Sequence, residues 1–247
     1  MPFSNLNVPA VRPLVLLAVV AMLGVGGSVP CRAQEFWTGL TLRAKVTGLV
    51  SVQVEQQVRF AETIGAYKGT VTEASLRLRP WEHLGGALSY RFTDRSGSER
   101  ADDNDRQRWS ADGFYTLGSG DTQWIFAHRV RYQQARTSGE ADGEAKTYVR
   151  NRLQLGYNLT KRVQPYVSTE FFYRLDGRNE NQLNRYTLGL ETRIGKKFTL
   201  DTFFRVEKER NVKYPETAYV VGVTGLYRLS FRRKDSPEAE DNTPSSL

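Results

Sequence analysis

The chain has 247 residues, enough for one large domain or two small ones, with a formal net charge of +8 and a negative mean hydropathy. The hydropathy argues against a bundle of transmembrane helices, and two histidines with one cysteine leave little room for a His/Cys zinc cage or a thiol catalyst. The basic balance would suit a nucleic-acid partner if the cations, 26 of them Arg, shared one outer surface.

The first 33 residues have the pattern of a secretory signal peptide. An apolar segment at 14–25 follows Arg12, and small residues lead to a cleavage site after Ala33. This segment is shorter than the about 20 residues of a spanning helix, which disfavours a membrane anchor. Cleavage would remove Cys31, and the loss of Arg12 and Arg32 would lower the net charge from +8 to +6. Export excludes cytosolic nucleic-acid-binding classes and indicates a bacterial periplasmic or outer-membrane protein.

The mature chain alternates apolar and polar residues with the period of a β-strand. In the segment 49–60, for example, Val52 and Val54 alternate with Gln53 and Glu55. The same pattern predicts eleven strands, at residues 36–44, 49–60, 70–79, 84–93, 106–117, 122–133, 147–158, 163–175, 185–194, 198–209 and 218–231. Most exceed the about 5–6 residues of soluble strands and match the about 9–11 that cross a bilayer at a tilt.

The predicted connections alternate in length along the chain. The short ones are residues 45–48, 80–83, 118–121, 159–162 and 195–197. The long ones are residues 61–69, 94–105, 134–146, 176–184 and 210–217. A transmembrane barrel has tight periplasmic turns and longer external loops, whereas a soluble sandwich has no reason for this alternation.

Charged residues of the predicted strands fall on the polar face, where we count 16 Arg and eight carboxylates, against Lys208 alone on the apolar face. A lipid-facing surface requires this separation, since an Arg at the bilayer midplane costs about 2–4 kcal/mol. We therefore predict a charge ladder inside a barrel. Its members are Arg59, Glu55, Arg77, Arg79, Arg91, Arg108, Asp112, Arg129, Arg131, Arg150, Arg152, Glu170, Arg174, Glu191, Arg193, Asp201, Arg205, Glu207 and Arg228. The alternative is a soluble β-protein with a dry apolar core and no banding of its aromatic residues.

Aromatic residues with the parity of the apolar face form two groups. Near the long loops they are Phe60, Phe92, Trp109, Tyr132, Tyr173, Tyr186, Phe204 and Tyr219. Near the short turns they are Tyr115, Trp124, Tyr157, Phe198, Tyr227 and Phe231. Two outward rows are typical of the aromatic girdles at the two membrane–water interfaces.

The predicted fold is all-β: a single antiparallel, up-and-down transmembrane barrel of ten to twelve strands at 34–231, followed by a disordered tail at 232–247. Because bacterial single-chain barrels usually have an even number of strands, the segment 36–44 has three interpretations. It passes up through the lumen, or it forms a plug or periplasmic strand, or one further strand has been missed.

Several segments resemble the DUF2490 family of bacterial outer-membrane β-barrel proteins. They are Phe36-Trp-Thr-Gly39, Val54-Glu-Gln-Gln-Val-Arg-Phe60, Leu76-Arg-Leu-Arg79, Leu88-Ser-Tyr-Arg91, His128-Arg-Val-Arg-Tyr132, Arg150-Asn-Arg152, Glu170-Phe-Phe-Tyr-Arg174 and Gly225-Leu-Tyr-Arg-Leu-Ser-Phe231. The resemblance covers roughly 35–231 and implies an outer-membrane barrel. The family has no established activity, so the resemblance implies no catalytic residues. Barrels of this kind usually end at a strand-terminal aromatic residue, whereas here the charged tail follows Phe231.

The polar lumen has two interpretations. Arg–Glu/Asp ladders would fill it and neutralise one another, because the planar Arg fork binds carboxylates well. Alternatively, the surplus of eight inward cations would select anions in a narrow pore. We expect the structural ladder and a largely closed lumen, and we keep the narrow anion-preferring channel as the alternative.

An enzyme is a further alternative, because a lipid-modifying hydrolase would need an outward catalytic base. His128 has outward parity, but Phe126 and Val130 are its neighbours on that face and Ser110 of the preceding strand faces inward. A nucleophile within reach of the base is missing, so we expect no catalytic residue. His83 lies in a short turn, where we expect a periplasmic interface residue.

The sequence thus predicts a non-enzymatic protein of the bacterial outer membrane without cofactor or metal. Its expected partners are membrane lipids and lipopolysaccharide, and the barrel-assembly machinery during biogenesis. We expect no nucleic-acid partner. We also expect the protein to be a monomer. A soluble exported β-protein remains the least favoured alternative.

Overall fold

The computed structural model describes residues 35–61, 66–94, 106–118, 122–137, 145–177 and 179–230. The predicted signal peptide, Phe231 and the predicted tail lie outside these residues. Eleven strands are present: β1 (Glu35–Lys45), β2 (Val50–Ala61), β3 (Ala66–Leu78), β4 (Leu84–Asp94), β5 (Arg106–Leu117), β6 (Trp124–Thr137), β7 (Lys146–Tyr157), β8 (Val163–Arg174), β9 (Glu180–Ile194), β10 (Phe198–Glu209) and β11 (Thr217–Ser230). Within the described residues, no helix is long and apolar enough to cross a membrane.

The eleven strands form one closed barrel in which each strand pairs with its neighbours in the sequence. All consecutive pairs are antiparallel, and the barrel closes through a parallel pair between β1 and β11. The all-β barrel of ten to twelve strands is confirmed and its strands are mostly antiparallel, with a parallel closing pair that the sequence did not predict. An odd number of alternating strands leaves the first and last pointing the same way, so closure must be parallel. The segment 36–44 is therefore a wall strand, and not a plug or a periplasmic strand.

Strand boundaries agree closely with the alternation except at the end of the barrel that includes Ala61, Ala66, Asp94 and Arg106, which we call the long-loop end; the opposite end is the short-turn end. At the long-loop end, β3 begins at residue 66 instead of 70, β6 continues to residue 137, and β9 begins at residue 180 instead of 185. Two of these extensions adjoin register shifts, between Arg59 and Phe60 on β2 and between Phe172 and Tyr173 on β8. A β-bulge inserts an unpaired residue and breaks the period of two, so the alternation stopped short of the true strand ends.

The longer strands shorten some of the connections. Residues 62–65 join β2 to β3, and residues 175–179 join β8 to β9. The predicted alternation of short and long connections therefore fails at these two places, although residues 95–105 and 138–145 do separate their strands widely.

The barrel wall places polar residues inside and apolar residues outside. On β3, Glu73 and Arg77 are buried, whereas the alternating residues Leu76 and Leu78 are 45% and 50% exposed. Leu88 on β4 is 65% exposed. This arrangement is the reverse of a soluble barrel, in which the apolar face fills the interior.

Three inward aromatic rings lie over glycines of the neighbouring strand. The pairs are Phe114 with Gly85, Tyr166 with Gly189, and Phe203 with Gly222. A Cβ at any of these glycines would overlap the ring. Glycine thus lets a large ring lie against the wall and leaves room for charged side chains in the interior.

Candidate functional site

The barrel interior contains a cavity of about 480 Å³, which we call the lumen cavity, lined by side chains of all eleven strands. Its lining includes twelve Arg or Lys and seven Asp or Glu residues. The fourteen members of the predicted ladder that line it are Glu55, Arg59, Arg77, Arg91, Arg108, Asp112, Arg129, Arg131, Arg150, Arg152, Glu170, Asp201, Arg205 and Glu207. The interior thus brings most of the predicted set together, with a surplus of positive charge.

Five members of the predicted ladder do not line the cavity. They are Arg79, Arg174, Glu191, Arg193 and Arg228. Arg174 lies at the end of β8, where it binds Asp176 through two hydrogen bonds of 2.6 and 2.7 Å. The hydrogen bonds from this guanidinium lower the pKa of Asp176. These residues therefore belong to the two ends of the barrel and not to its central cavity.

Glu170 on β8 is the centre of the interior ion-pair network. Arg150 and Arg129 lie 2.8 and 3.0 Å from its Oε1 atom, and Arg185 lies 3.2 Å from its Oε2 atom. The residue is buried, with 2% of its surface exposed. Three strands thus direct guanidinium groups at one buried anion, which neutralises part of their charge.

A second group of ion pairs joins β3, β4, β5 and β6. Arg131 donates to Asp112 from Nε at 2.5 Å and from Nη2 at 2.7 Å, and its Nη2 atom also lies 3.6 Å from Glu73. Arg91 donates from Nε to the other oxygen of Glu73 at 2.5 Å. The bidentate geometry is the one in which Arg binds a carboxylate most strongly.

Further arginines make cation–π contacts with aromatic rings inside the barrel. The distances from guanidinium carbon to ring centroid are 4.0 Å for Arg59 over Trp37, 4.2 Å for Arg150 over Phe172, 4.5 Å for Arg205 over Phe203 and 4.7 Å for Arg77 over Phe114. These rings are not among the predicted site residues, because the predicted aromatic rows lie on the apolar face. Their parity was the available signal, since Phe172 follows Glu170 by two residues and so shares its face.

Side chains fill the short-turn end of the barrel. The buried inward residues there are Arg43, Thr116, Ile125, Gln154, Gln164, Thr199 and Leu226. None of them lines the lumen cavity, whereas Arg106, Lys146 and Glu209 at the long-loop end do. Arg228 donates to Thr199 at 2.8 Å within this layer. The described part of the cavity is therefore closed towards the short turns and reaches the long-loop end.

The predicted interface aromatics that the structure describes lie on the outer face, and several are paired. Ring centroids are 4.9 Å apart for Trp124 and Tyr157 and 6.3 Å apart for Phe204 and Tyr219. Trp109 is 65% exposed and packs against Tyr90 at 4.6 Å. Phe231 lies outside the described residues.

The two histidines lie apart from the lumen cavity. His128 faces outward, and its Nε2 atom lies 3.1 Å from Oδ1 of Asn151. The residues that flank it on the outer face are Phe126, Val130, Tyr115 and Leu153. None of these four is Ser, Thr or Cys. The ring of His83 is 3.0 Å from the backbone oxygen of Thr116, so it joins a turn to β5. In the described part of the chain, no three His, Cys, Asp or Glu residues are placed to hold a metal ion.

The fold and the site define the chain as a closed β-barrel with a charged interior and an apolar outer wall. The family model described as "Protein of unknown function (DUF2490)" matches residues 34–213. The chain belongs to this family, which confirms the resemblance seen in the sequence. The match includes β1 to β10 and ends before β11. A comparison with curated proteins gives no match.

Proposed function

We propose that this protein is a non-enzymatic β-barrel of the bacterial outer membrane, with a lumen largely closed by Arg–carboxylate pairs. The observation that carries the proposal is the exposed apolar outer wall, where Leu40, Val54 and Leu88 are 46%, 45% and 65% exposed. Removing apolar surface from water is favourable by about 25 cal/mol per Å². Lipid around the barrel would remove this wall from water, whereas an aqueous compartment would leave it exposed. Soluble monomers rarely expose contiguous apolar patches larger than a few hundred Å².

The dimensions of the strands support the same placement. The described strands have 11 to 15 residues, against the about 9–11 that span a bilayer when tilted. The outward aromatics at the two ends suit the membrane–water interfaces. In the proposed orientation the short turns face the periplasm, the long loops face outward, and the outer wall contacts phospholipid and lipopolysaccharide. Insertion would need the barrel-assembly machinery, and the protein would be a monomer.

Membrane fractionation combined with gel mobility tests the placement. We expect the full chain in the outer-membrane fraction, extractable only with detergent, and a band that shifts when the SDS sample is boiled. A chain found in the periplasmic fraction without detergent would contradict the proposal and favour the soluble exported β-protein.

A narrow anion-preferring channel is the second candidate, favoured by the surplus of five cations among the residues that line the lumen cavity. The filled short-turn end favours the closed lumen instead. Planar-bilayer recordings of the purified protein distinguish the two. Discrete conductance with an anion-selective reversal potential would favour the channel, whereas a closed lumen should give no discrete steps.

The proposed absence of enzymatic activity rests on the outer face around His128, where no nucleophile flanks the imidazole. Lipid deacylation by the detergent-solubilised protein is the discriminating assay. Deacylation that disappears in His128→Ala would overturn this part of the proposal.

A further inference from the structure

The long-loop half of the lumen cavity contains an arc of three cations, which lie on β4, β5 and β7. Arg91 on β4 lies directly opposite Arg108 on β5, and Arg108 lies opposite Ala135 on β6. Ala135 in turn lies opposite Lys146 at the start of β7. Arg91, Arg108 and Lys146 all line the lumen cavity. Like charges directly opposite each other in a sheet are destabilising, so an anion bound beside Arg91 and Arg108 would stabilise this arc.

The nearby carboxylates pair with Arg91 and Arg131 and not with Arg108. Glu73 binds Arg91 at 2.5 Å and lies 3.6 Å from Arg131, and Asp112 accepts from Nε and Nη2 of Arg131. In the part of the chain that the structure describes, Arg108 makes no ion pair of 4.0 Å or less, and its buried Nε atom has no hydrogen-bond partner. Arg108 is thus an inward cation whose compensation has to come from outside the described wall.

The surroundings of Arg108 suit an oxyanion. Ser110 is its inward neighbour two residues along β5, and Gln133 lies opposite Ser110. Tyr148 lies opposite Gln133, and its hydroxyl donates to Gln182 at 3.2 Å. Guanidinium groups bind phosphate oxygens in pairs, and an ammonium group adds a point charge. The cavity volume of about 480 Å³ falls in the range of small-molecule sites.

We propose that the arc of Arg91, Arg108 and Lys146 binds a water-soluble phosphate or small phosphorylated molecule that enters from the long-loop end. The site lies inside the barrel and not on its outer wall, which favours a soluble ligand over the headgroup of a membrane lipid. Binding at this arc depends only on the barrel interior and not on the proposed placement in a membrane, so a failed fractionation test would not exclude it.

The test is a titration of the purified full chain, in detergent, with inorganic phosphate at constant ionic strength, with chloride as the reference anion. We expect phosphate to raise the apparent melting temperature in a saturable manner. Arg108→Gln should weaken phosphate binding by at least about tenfold, and Lys146→Gln should weaken it less because it supplies a single point charge. Arg228→Gln, which removes an inward cation outside the cavity, is the matched control and should respond like the wild type.

Arg108→Gln also has a readout that separates binding from folding. Because Arg108 holds no carboxylate among the described residues, its removal should leave the phosphate-free barrel at least as stable as the wild type. Equal responses to phosphate and chloride, or an unchanged phosphate response in Arg108→Gln, would overturn the proposal. A response to phosphatidic acid in mixed micelles without any response to inorganic phosphate or glycerol phosphate would also overturn it.

Discussion

Glu170 illustrates how a single residue of the interior can hold several strands. Its carboxylate accepts ion pairs from Arg129 on β6, Arg150 on β7 and Arg185 on β9. Burial of each charge carries a desolvation penalty, which the mutual attraction and the additional hydrogen bonds offset. The importance of Glu170 therefore lies mainly in the uncompensated cations that its loss would leave behind.

Glu170→Gln keeps the shape of the side chain and removes its charge. Because the buried guanidinium groups of Arg129 and Arg150 then lose their anion, whereas Arg185 keeps Glu207 at 2.8 Å, we expect the free energy of unfolding to fall by about 3–5 kcal/mol. Urea unfolding of the folded barrel in detergent measures the change. Glu216→Gln, in the exposed loop before β11, is the control and should change the stability by less than about 0.5 kcal/mol. A Glu170→Gln variant as stable as the control would show that the ion pairs contribute nothing to folding.

At the level of strand pairs, glycine decides where a large ring fits in the interior. Gly189 on β9 lies opposite Tyr166 on β8, and the Tyr166 hydroxyl hydrogen-bonds both oxygens of Asp201 at 3.1 Å. The ring therefore has a hydrogen bond that restrains its position. A side chain at residue 189 would compete with the ring for the same space.

Gly189→Ala should reduce the free energy of unfolding by about 1–3 kcal/mol, because its Cβ overlaps the Tyr166 ring. The matched control is Gly113→Ala on the outer face of β5, where a Cβ would meet no atom within 4 Å. We expect that variant to unfold within about 0.5 kcal/mol of the wild type. Equal losses in both variants would indicate a general cost of replacing strand glycines and not a clash with the ring.

Over the whole molecule, barrel closure depends on the parallel pair of β1 and β11. Thr38 lies beside Val223 in this pair, and both alternate with inward residues so that they face outward. The pair extends from Glu35↔Val220 to Lys45↔Ser230, so every residue of β1 has a partner on β11. This seam explains how an odd number of strands forms a barrel without a free edge.

Cysteine cross-linking tests the closure directly. In a chain with Cys31→Ser, the pair Thr38→Cys and Val223→Cys should oxidise readily, because neighbouring Cα atoms in a sheet lie within disulfide reach. The control pair, Thr38→Cys and Tyr219→Cys, is displaced by four residues along β11, about 13 Å, and should not cross-link. Gel mobility without reductant measures the yield. Equal yields from the two pairs would contradict the parallel register.

Much of this molecule could be predicted from the sequence because alternation is a local property. The period of two identified eleven strands, and it separated inward Arg131 and Glu170 from outward Trp109 without any knowledge of neighbouring strands. The prediction of strand ends failed where a β-bulge breaks this period, beside Phe60 and beside Tyr173. The strand ends beyond those bulges were therefore misplaced.

The partners of each charge were decided only by the tertiary structure. Glu170 lies directly opposite Arg152 and Arg185, yet two of its three ion pairs are with Arg150, placed diagonally on β7, and Arg129, one strand further along the wall on β6. The sequence by itself determined which face each side chain occupies, because that depends on its own backbone. Closure through β1, the filled short-turn end and the uncompensated Arg108 depend on register and curvature, which bring together residues far apart in the chain.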